Sequence, residues 1–125
     1  MKEGKNKFRK FTTRKNILAL AGRDAASNEE LISQVGKEEL VFHTEAPGSP
    51  FVNLKGEPKK GDVEEAAIFC AKYSRDWKKN KKDVVVHIFK GKDIYKDKGM
   101  SLGTFGVKKL KVIKVKKEEI EKWEQ

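Results

Sequence analysis

Residues 62–77 read DVEEAAIFCAKYSRDW, and residues 84–89 read VVVHIF. In the first stretch, apolar side chains recur at steps of three and four residues, which places them on one face of a helix. These side chains are Val63, Ala66, Ala67, Cys70, Tyr73 and Trp77. The second stretch is rich in β-branched residues, which are typical of a buried strand. Residues 78–83 are polar and mostly basic, and we expect them to form a loop between the helix and the strand.

Five further segments predict β-strands. Each is short, carries β-branched or alternating apolar residues and is bounded by residues that favour turns. The segments are residues 8–13, 16–21, 40–44, 51–54 and 110–116. Arg14 and Lys15 would form the tight turn of a hairpin between the first two strands. Residues 90–106 contain four glycines and are expected to be mostly loop.

Two helix starts are predicted from capping-box spacing, in which a polar N-cap is followed three residues later by a carboxylate. Ser27 with Glu30 would begin a short first helix that ends at Gly36. Asp62 with Glu65 would begin the longer second helix. A final helical turn is expected within residues 117–125.

These elements together predict an α+β fold, with a mixed or largely antiparallel sheet and two main helices packed on it. The chain has 125 residues, a length that suits one domain. We therefore expect residues 1–125 to form a single domain.

The charge of the chain is positive and unevenly placed. Lys and Arg number 29 against 19 Asp and Glu, a net charge of +10, and the excess lies in residues 1–15 and 78–117. If both blocks lie on one face, their field would attract a polyanion such as RNA. The alternative is that the lysines solvate the surface and protect the edges of the sheet. The candidates for phosphate contacts are Arg9, Lys10, Arg14, Lys15, Lys78, Lys79, Lys81 and Lys82.

Several function classes find no support in the sequence. A single cysteine, Cys70, excludes a disulfide framework and a four-cysteine zinc site, and it favours a reducing, cytoplasmic setting. No apolar run approaches the roughly 20 residues of a membrane span. The two histidines have no acidic cluster around them in sequence, and no nucleotide-binding loop is present. We therefore expect no metal, no cofactor and no membrane partner, and Cys70 is interpreted as a buried apolar side chain.

Two loops could carry chemistry. Lys96 and Lys98 lie among the glycines of residues 90–106, where ammonium groups and backbone amides could hold a phosphate. A flexible connection would need the same glycines. His43 precedes the loop of residues 47–50, which reads PGSP, and its imidazole could stack on a nucleobase or bond its edge. The alternative for His43 is a structural hydrogen bond to the adjacent loop.

Four motifs in order resemble a known family. They are GRDAASNE at residues 22–29, FHT at 42–44 followed by PGS at 47–49, EEAA at 64–67 with YS at 73–74, and KDKG at 96–99 with Gly103. The chain resembles the NFACT-R domain, the RNA-binding domain of NFACT proteins, over about residues 8–116. Those proteins act in ribosome-associated quality control. The resemblance implies an RNA-binding module whose target is ribosomal RNA, tRNA or a ribosome-bound complex, with the large ribosomal subunit as a candidate partner.

The chain departs from the family pattern at two places. The family often has Asp-x-Trp-x-His where residues 39–43 read ELVFH, and Gly-Ser-His where residues 48–50 read GSP. The second histidine of that loop is thus absent. The N-terminal domain, helix-hairpin-helix segment and coiled coil of full NFACT proteins do not fit in 125 residues. The resemblance is therefore to a stand-alone NFACT-R protein, and it does not imply synthesis of a tail on a stalled nascent chain.

The leading interpretation is an RNA-binding module that is not an enzyme. Arg23, His43 and Ser49 would contact bases or sugars, beside the phosphate contacts of the basic blocks. One alternative is an interaction module that binds the ribosome without touching RNA. Another is an accessory component of RNA modification with His43 as acid or base, but no second catalytic group is visible in the sequence.

Overall fold

The computed structural model describes residues 7–123. The strands are β1 Arg9–Thr12, β2 Leu18–Ala21, β3 Leu40–Thr44, β4 Val52–Leu54, β5 Val84–Lys90, β6 Ile94–Tyr95, β7 Gly106–Val107 and β8 Lys111–Val115. The helices are α1 Ala25–Ser33, α2 Lys60–Lys72, α3 Arg75–Asn80 and α4 Lys117–Lys122, and a 3-10 turn spans Gly91–Asp93. No helix within the described residues is long and apolar enough to cross a membrane.

Six strands form one sheet in the order β1-β2-β4-β3-β5-β8, and each neighbouring pair is antiparallel. β6 and β7 form a separate two-stranded ribbon within the glycine-rich segment that was expected to be mostly loop. The predicted α+β class with a largely antiparallel sheet is confirmed.

Side chains alternate between the two faces of the sheet, and helices cover each face. Phe42 lies on the face that packs against α2 and α4, where it joins the larger core around Phe69. Val41 lies on the opposite face and packs with Leu31 of α1 and Phe89 of β5. β3 is thus buried on both sides, as a central strand of a three-layer arrangement must be.

The start of α1 differs from the prediction. Asp24, not Ser27, is the N-cap: its carboxylate accepts from the Ser27 backbone N–H at 2.9 Å, while the Ser27 hydroxyl accepts from the Asp24 N–H at 3.0 Å. The capping box is therefore present but begins three residues earlier than expected. The N–H of Ser27 is the main reason that the pKa of Asp24 lies below its ordinary value.

The start of α2 also differs. The helix begins at Lys60, so Asp62 lies inside the first turn and reaches back to the Lys59 N–H at 2.8 Å. The same carboxylate accepts from the Thr13 hydroxyl at 2.6 Å, and Glu65 accepts from the backbone N–H of Arg14. The two residues interpreted as a capping pair instead tie the β1–β2 turn to the helix.

The predicted single helix over residues 62–77 is wrong, because the chain breaks between α2 and α3. The Ser74 hydroxyl donates to the Ala71 carbonyl at 2.7 Å and accepts from the Trp77 N–H at 3.1 Å, which makes Ser74 the N-cap of α3. A serine that satisfies both backbone groups competes with helix continuation. Trp77 is buried as expected, but on α3, and Tyr73 is half-buried. The first part of the segment predicted as a basic loop is the end of α3.

Cys70 lies between α2 and the sheet, fully buried, with Sγ 3.7 Å from the Pro50 carbonyl oxygen. Burial raises the pKa of the thiol to about 12. We expect Cys70→Asp to lower the free energy of unfolding by about 3–5 kcal/mol, because it buries an unpaired charge. Cys70→Ala should cost far less, and urea denaturation measures both. Rapid labelling of Cys70 by a thiol reagent under native conditions would contradict this placement.

Candidate functional site

A cleft of about 740 Å³ opens at the end of the sheet where β2 and β3 end and β1 and β4 begin. Its walls are the N-terminus of α1, the loop of residues 45–50, the junction between α2 and α3, and residues 103–107. These segments are far apart in the sequence and meet only because the antiparallel order of the sheet brings their ends together.

Five of the sequence-predicted site residues line this cleft. They are Arg9, Arg23, His43, Ser49 and Lys78. The charged side chains in the cleft are four cations, from Arg9, Arg23, Arg75 and Lys78, and two carboxylates, from Asp24 and Glu45. With four cations against two carboxylates, the cleft presents mainly positive charge.

Other predicted contacts lie outside the cleft. Arg14 and Lys15 form the β1–β2 turn, at the opposite end of β1 from Arg9. At about 3.3 Å per residue, that distance is on the order of 15 Å. Lys10 is exposed on β1. The basic blocks of the sequence are therefore divided between the cleft and more distant surfaces.

The lysines at and after the end of α3 extend the positive field beyond Lys78. Lys79 and Lys82 are exposed to solvent. Lys81 ends the helix in a left-handed conformation, and its Nζ lies 4.9 Å from the centre of the Trp77 ring. This cation–π contact fixes the direction of one lysine stem while leaving the charge near the surface.

Lys96 is engaged within its own loop. Its Nζ donates to the carbonyls of Ser101 and Thr104 at 2.7 and 2.8 Å and to Glu29 at 3.1 Å, and it lies 4.6 Å from the Phe105 ring centre. Glu29 also accepts from the Gly103 N–H at 2.7 Å. Lys96 therefore joins the 95–105 segment to α1 and shapes one wall of the cleft, whereas Lys98 is exposed.

His43 is held in one tautomer and one orientation. Its Nδ1 lies 2.8 Å from the Thr44 carbonyl oxygen, which accepts only from a protonated nitrogen, so Nε2 of the neutral ring is an acceptor. The ring packs on Phe51 with centroids 4.3 Å apart. Burial lowers the pKa of His43, and the neighbouring His87, its register partner on β5, lowers it further. The imidazole is therefore neutral near pH 7.

The PGSP loop is shaped by its own hydrogen bonds. The Ser49 hydroxyl accepts from the Thr44 N–H at 3.0 Å and donates to the Pro50 carbonyl at 3.2 Å. Gly48 has a φ of +94°, and a side chain there would press on Arg75. Its carbonyl accepts from the Arg75 N–H at 2.9 Å. Ser49, expected to contact a base or sugar, is thus used within the loop, and the loop positions Arg75.

The GRDAASNE motif is also largely architectural. Gly22 leaves room for the side chain of Asn28, whose Oδ1 accepts from the Phe51 N–H at 3.3 Å. The Arg23 N–H donates to the Ser27 hydroxyl at 2.7 Å. These bonds hold the backbone before α1 and leave the exposed Arg23 side chain at the cleft.

Three residues of the cleft were not predicted from the sequence to be site residues. Arg75 was placed inside a continuous helix, and only the break at Ser74 brings it to the cleft wall. Phe105 meets Phe51 edge-on, with ring centroids 5.5 Å apart, and lies in a segment with no clear periodicity. Tyr73 carries the Arg9 guanidinium 4.5 Å above its ring, a pairing between segments that no local pattern indicates.

No group of three or more potential metal ligands occurs in the part of the chain that the structure describes. The cleft offers cations, aromatic rings, the imidazoles of His43 and His87, two carboxylates and backbone groups. This combination suits an anionic ligand with planar rings.

A family model described as "NFACT protein RNA binding domain" matches residues 7–109. Over 73 residues the chain is 38% identical to a protein of Methanocaldococcus jannaschii described as an archaeal Rqc2 homolog, aRqcH. That match covers 55% of this chain and 11% of the relative, so the chain spans only a small part of that protein.

A solved structure shares the fold. It is the C-terminal part of the fibronectin/fibrinogen-binding protein from Streptococcus suis, with a TM-score of 0.81 and 21% sequence identity. The match covers 95% of this chain and 49% of the solved chain. At this level of identity the likeness establishes a common architecture.

The lowered pKa of His43 predicts how stability depends on pH. An unfolded histidine titrates near 6.5, so just below that pH the unfolded chain binds a proton that the folded chain does not. The free energy of unfolding should therefore fall as the pH decreases from 7 through 6.5 towards the lower pKa of folded His43. Carboxyl groups whose pKa the fold lowers, such as that of Glu29, would change the free energy of unfolding only at pH values around and below their ordinary pKa of 4.5. Denaturation at a series of pH values measures the effect.

His43→Phe keeps a ring on Phe51 but cannot titrate, so it should flatten this pH dependence. His87→Gln is the matched control, because it removes the other histidine, which is the register partner of His43 on β5. An unchanged slope in His43→Phe would show that another group is responsible.

Proposed function

The chain belongs to the family of NFACT protein RNA-binding domains, and from this premise we propose that it binds single-stranded RNA in the cleft between α1, the PGSP loop and α3. The observation that carries the proposal is the convergence of four cationic side chains and several aromatic rings in one cleft. Such a combination binds the backbone through charge and the bases through stacking.

The phosphate contacts are assigned to the cations of the cleft. Arg75 and Lys78 are three residues apart on α3 and therefore lie on the same side of that helix. Arg23 lies just before α1, which packs on the other face of the sheet from α3. A strand that enters the cleft passes between these two positive walls, so its phosphates have partners on both sides.

The base contacts are assigned to the planar groups. His43 is supported from behind by Phe51, and Arg9 is supported by Tyr73. Each pair presents one planar group against which a nucleobase can stack. The unprotonated Nε2 of His43 adds an acceptor for a base or a ribose hydroxyl.

Family membership links the chain to RNA binding and to ribosome-associated quality control. We propose that its RNA is ribosomal RNA or tRNA, reached on the ribosome at the large subunit. The similarity to the archaeal Rqc2 homolog supports this assignment. The role is that of a binding module, with no catalytic step assigned.

The dependence of affinity on salt tests the proposal. Each phosphate contact on single-stranded nucleic acid contributes about −0.7 to the slope of log affinity against log salt. Arg75→Ala/Lys78→Ala should therefore weaken RNA binding and flatten the slope by about 1.4. Filter binding or fluorescence anisotropy over a range of salt concentrations measures both quantities.

Arg14→Ala/Lys15→Ala is the matched control, since it removes two cations at the far end of the β1–β2 hairpin. It should leave the slope nearly unchanged. Equal flattening in both double variants would assign binding to net charge and not to the cleft. Circular dichroism should show that each variant is folded.

His43 tests the stacking contact. We expect His43→Ala to cost about 1–3 kcal/mol of RNA affinity, as for one lost stacking contact, with little change in the salt slope. His43→Phe retains an aromatic ring on Phe51 and should recover most of that loss. If His43→Ala binds RNA normally but melts well below the wild type, the histidine is structural.

A further inference from the structure

Beyond the cleft, the sheet face that carries His43 and His87 continues onto the edge strand β8. In the register of β5 and β8, Val112 lies opposite His87, and Lys114 lies opposite Val85. Directly paired residues of an antiparallel sheet project from the same face. Val112 is 60% exposed, and Lys114 is exposed, so nothing within the described chain covers this part of the sheet. We call Val85, Val112 and Lys114 the β8 face.

The surroundings of the β8 face are positive. Lys114 lies on this face, and Lys108 and Lys109 lie just before β8; none of these three lysines forms an ion pair with a described carboxylate. Asp83, at the start of β5, already accepts from the Lys117 N–H and lies 3.9 Å from Lys116. Glu45 lies 3.4 Å from His87, at the border with the cleft. The face therefore complements an anionic partner.

Protection of a sheet edge explains lysines on β8, because charged side chains prevent pairing with another strand. It does not explain Val112, an apolar side chain left in water on the same face as Lys114. An exposed apolar residue beside a cation can contact a base or sugar while the neighbouring charge holds a phosphate.

We propose that an RNA strand bound in the cleft continues past His87 onto the β8 face, with Val112 against a base or sugar and Lys114 at a phosphate. This inference rests on the proposed function, because the path begins in the cleft. Adjacent strands are about 4.8 Å apart, so the β8 face directly adjoins the cleft. The cleft then holds one part of the RNA and the β8 face the next.

Two RNA lengths separate the two surfaces. Single strands of about 4 and about 12 nucleotides without self-complementarity span the site sizes of small binding modules. We expect Lys114→Glu to weaken binding of the longer RNA by at least about fivefold at about 0.1 M salt, the contribution of one phosphate contact. Binding of the shorter RNA, held in the cleft, should change little.

Lys122→Glu makes the same change of charge on α4, on the other side of the sheet. It should affect neither RNA. Equal losses from Lys114→Glu and Lys122→Glu would trace the effect to net charge and would overturn the inference.

Thiol labelling provides a second readout on the same face. Because Cys70 is fully buried, a reagent should modify only the thiol introduced by Val112→Cys. Saturating longer RNA should slow that reaction at least tenfold, and saturating shorter RNA should not.

The possible failures are distinguishable. If neither RNA binds, the proposed function fails and the inference fails with it. If both bind with equal affinity and the Val112→Cys thiol stays reactive, the cleft remains the binding site and the path across β8 is wrong.

Discussion

The structure depends most on the register of β3. This strand lies between β4 and β5, and it is buried on both faces, by Phe42 towards α2 and by Val41 towards α1. A slip of one residue would exchange the two faces and bury His43 in the larger core. Such a slip is disfavoured because it would put a smaller or polar side chain where Phe42 fills the larger core. The register therefore places His43 at the end of the sheet, opposite His87, where the cleft opens.

Polar residues then build the walls around that point. Asp24, Asn28 and Ser49 each accept a hydrogen bond from a backbone N–H group. Gly22 leaves room for the side chain of Asn28, and Gly48 leaves room for that of Arg75. No buried side-chain nitrogen or oxygen of the described residues lacks a hydrogen-bond partner. The motifs shared with the family are thus largely the supports of the cleft. They fix the backbone so that Arg23 and Arg75 can project from it.

The residues that support the cleft are different from the cations that line it, and this difference has a functional consequence. Because the supports are satisfied internally, they are not available to a ligand, and affinity must come from side chains that the motifs leave free. Lys96 shows the difference: it belongs to a family motif, yet its ammonium is bonded within its own loop. Arg75 belongs to no motif and stands at the cleft.

Local sequence patterns determined the α+β class, the strand that carries His43, the helix that carries Cys70 and the burial of Cys70, because alternation and helical periodicity depend only on which neighbours are apolar. The family motifs indicated the supports of the cleft. The break at Ser74 was not predicted, since a serine can continue a helix or cap the next one, and packing of Trp77 favours the second. Likewise, only tertiary packing brings Arg9 onto Tyr73, which lies 64 residues later in the sequence. Charge and spacing are properties of the sequence, but which charges share a surface is decided by the tertiary structure, because strand pairing joins segments that lie dozens of residues apart.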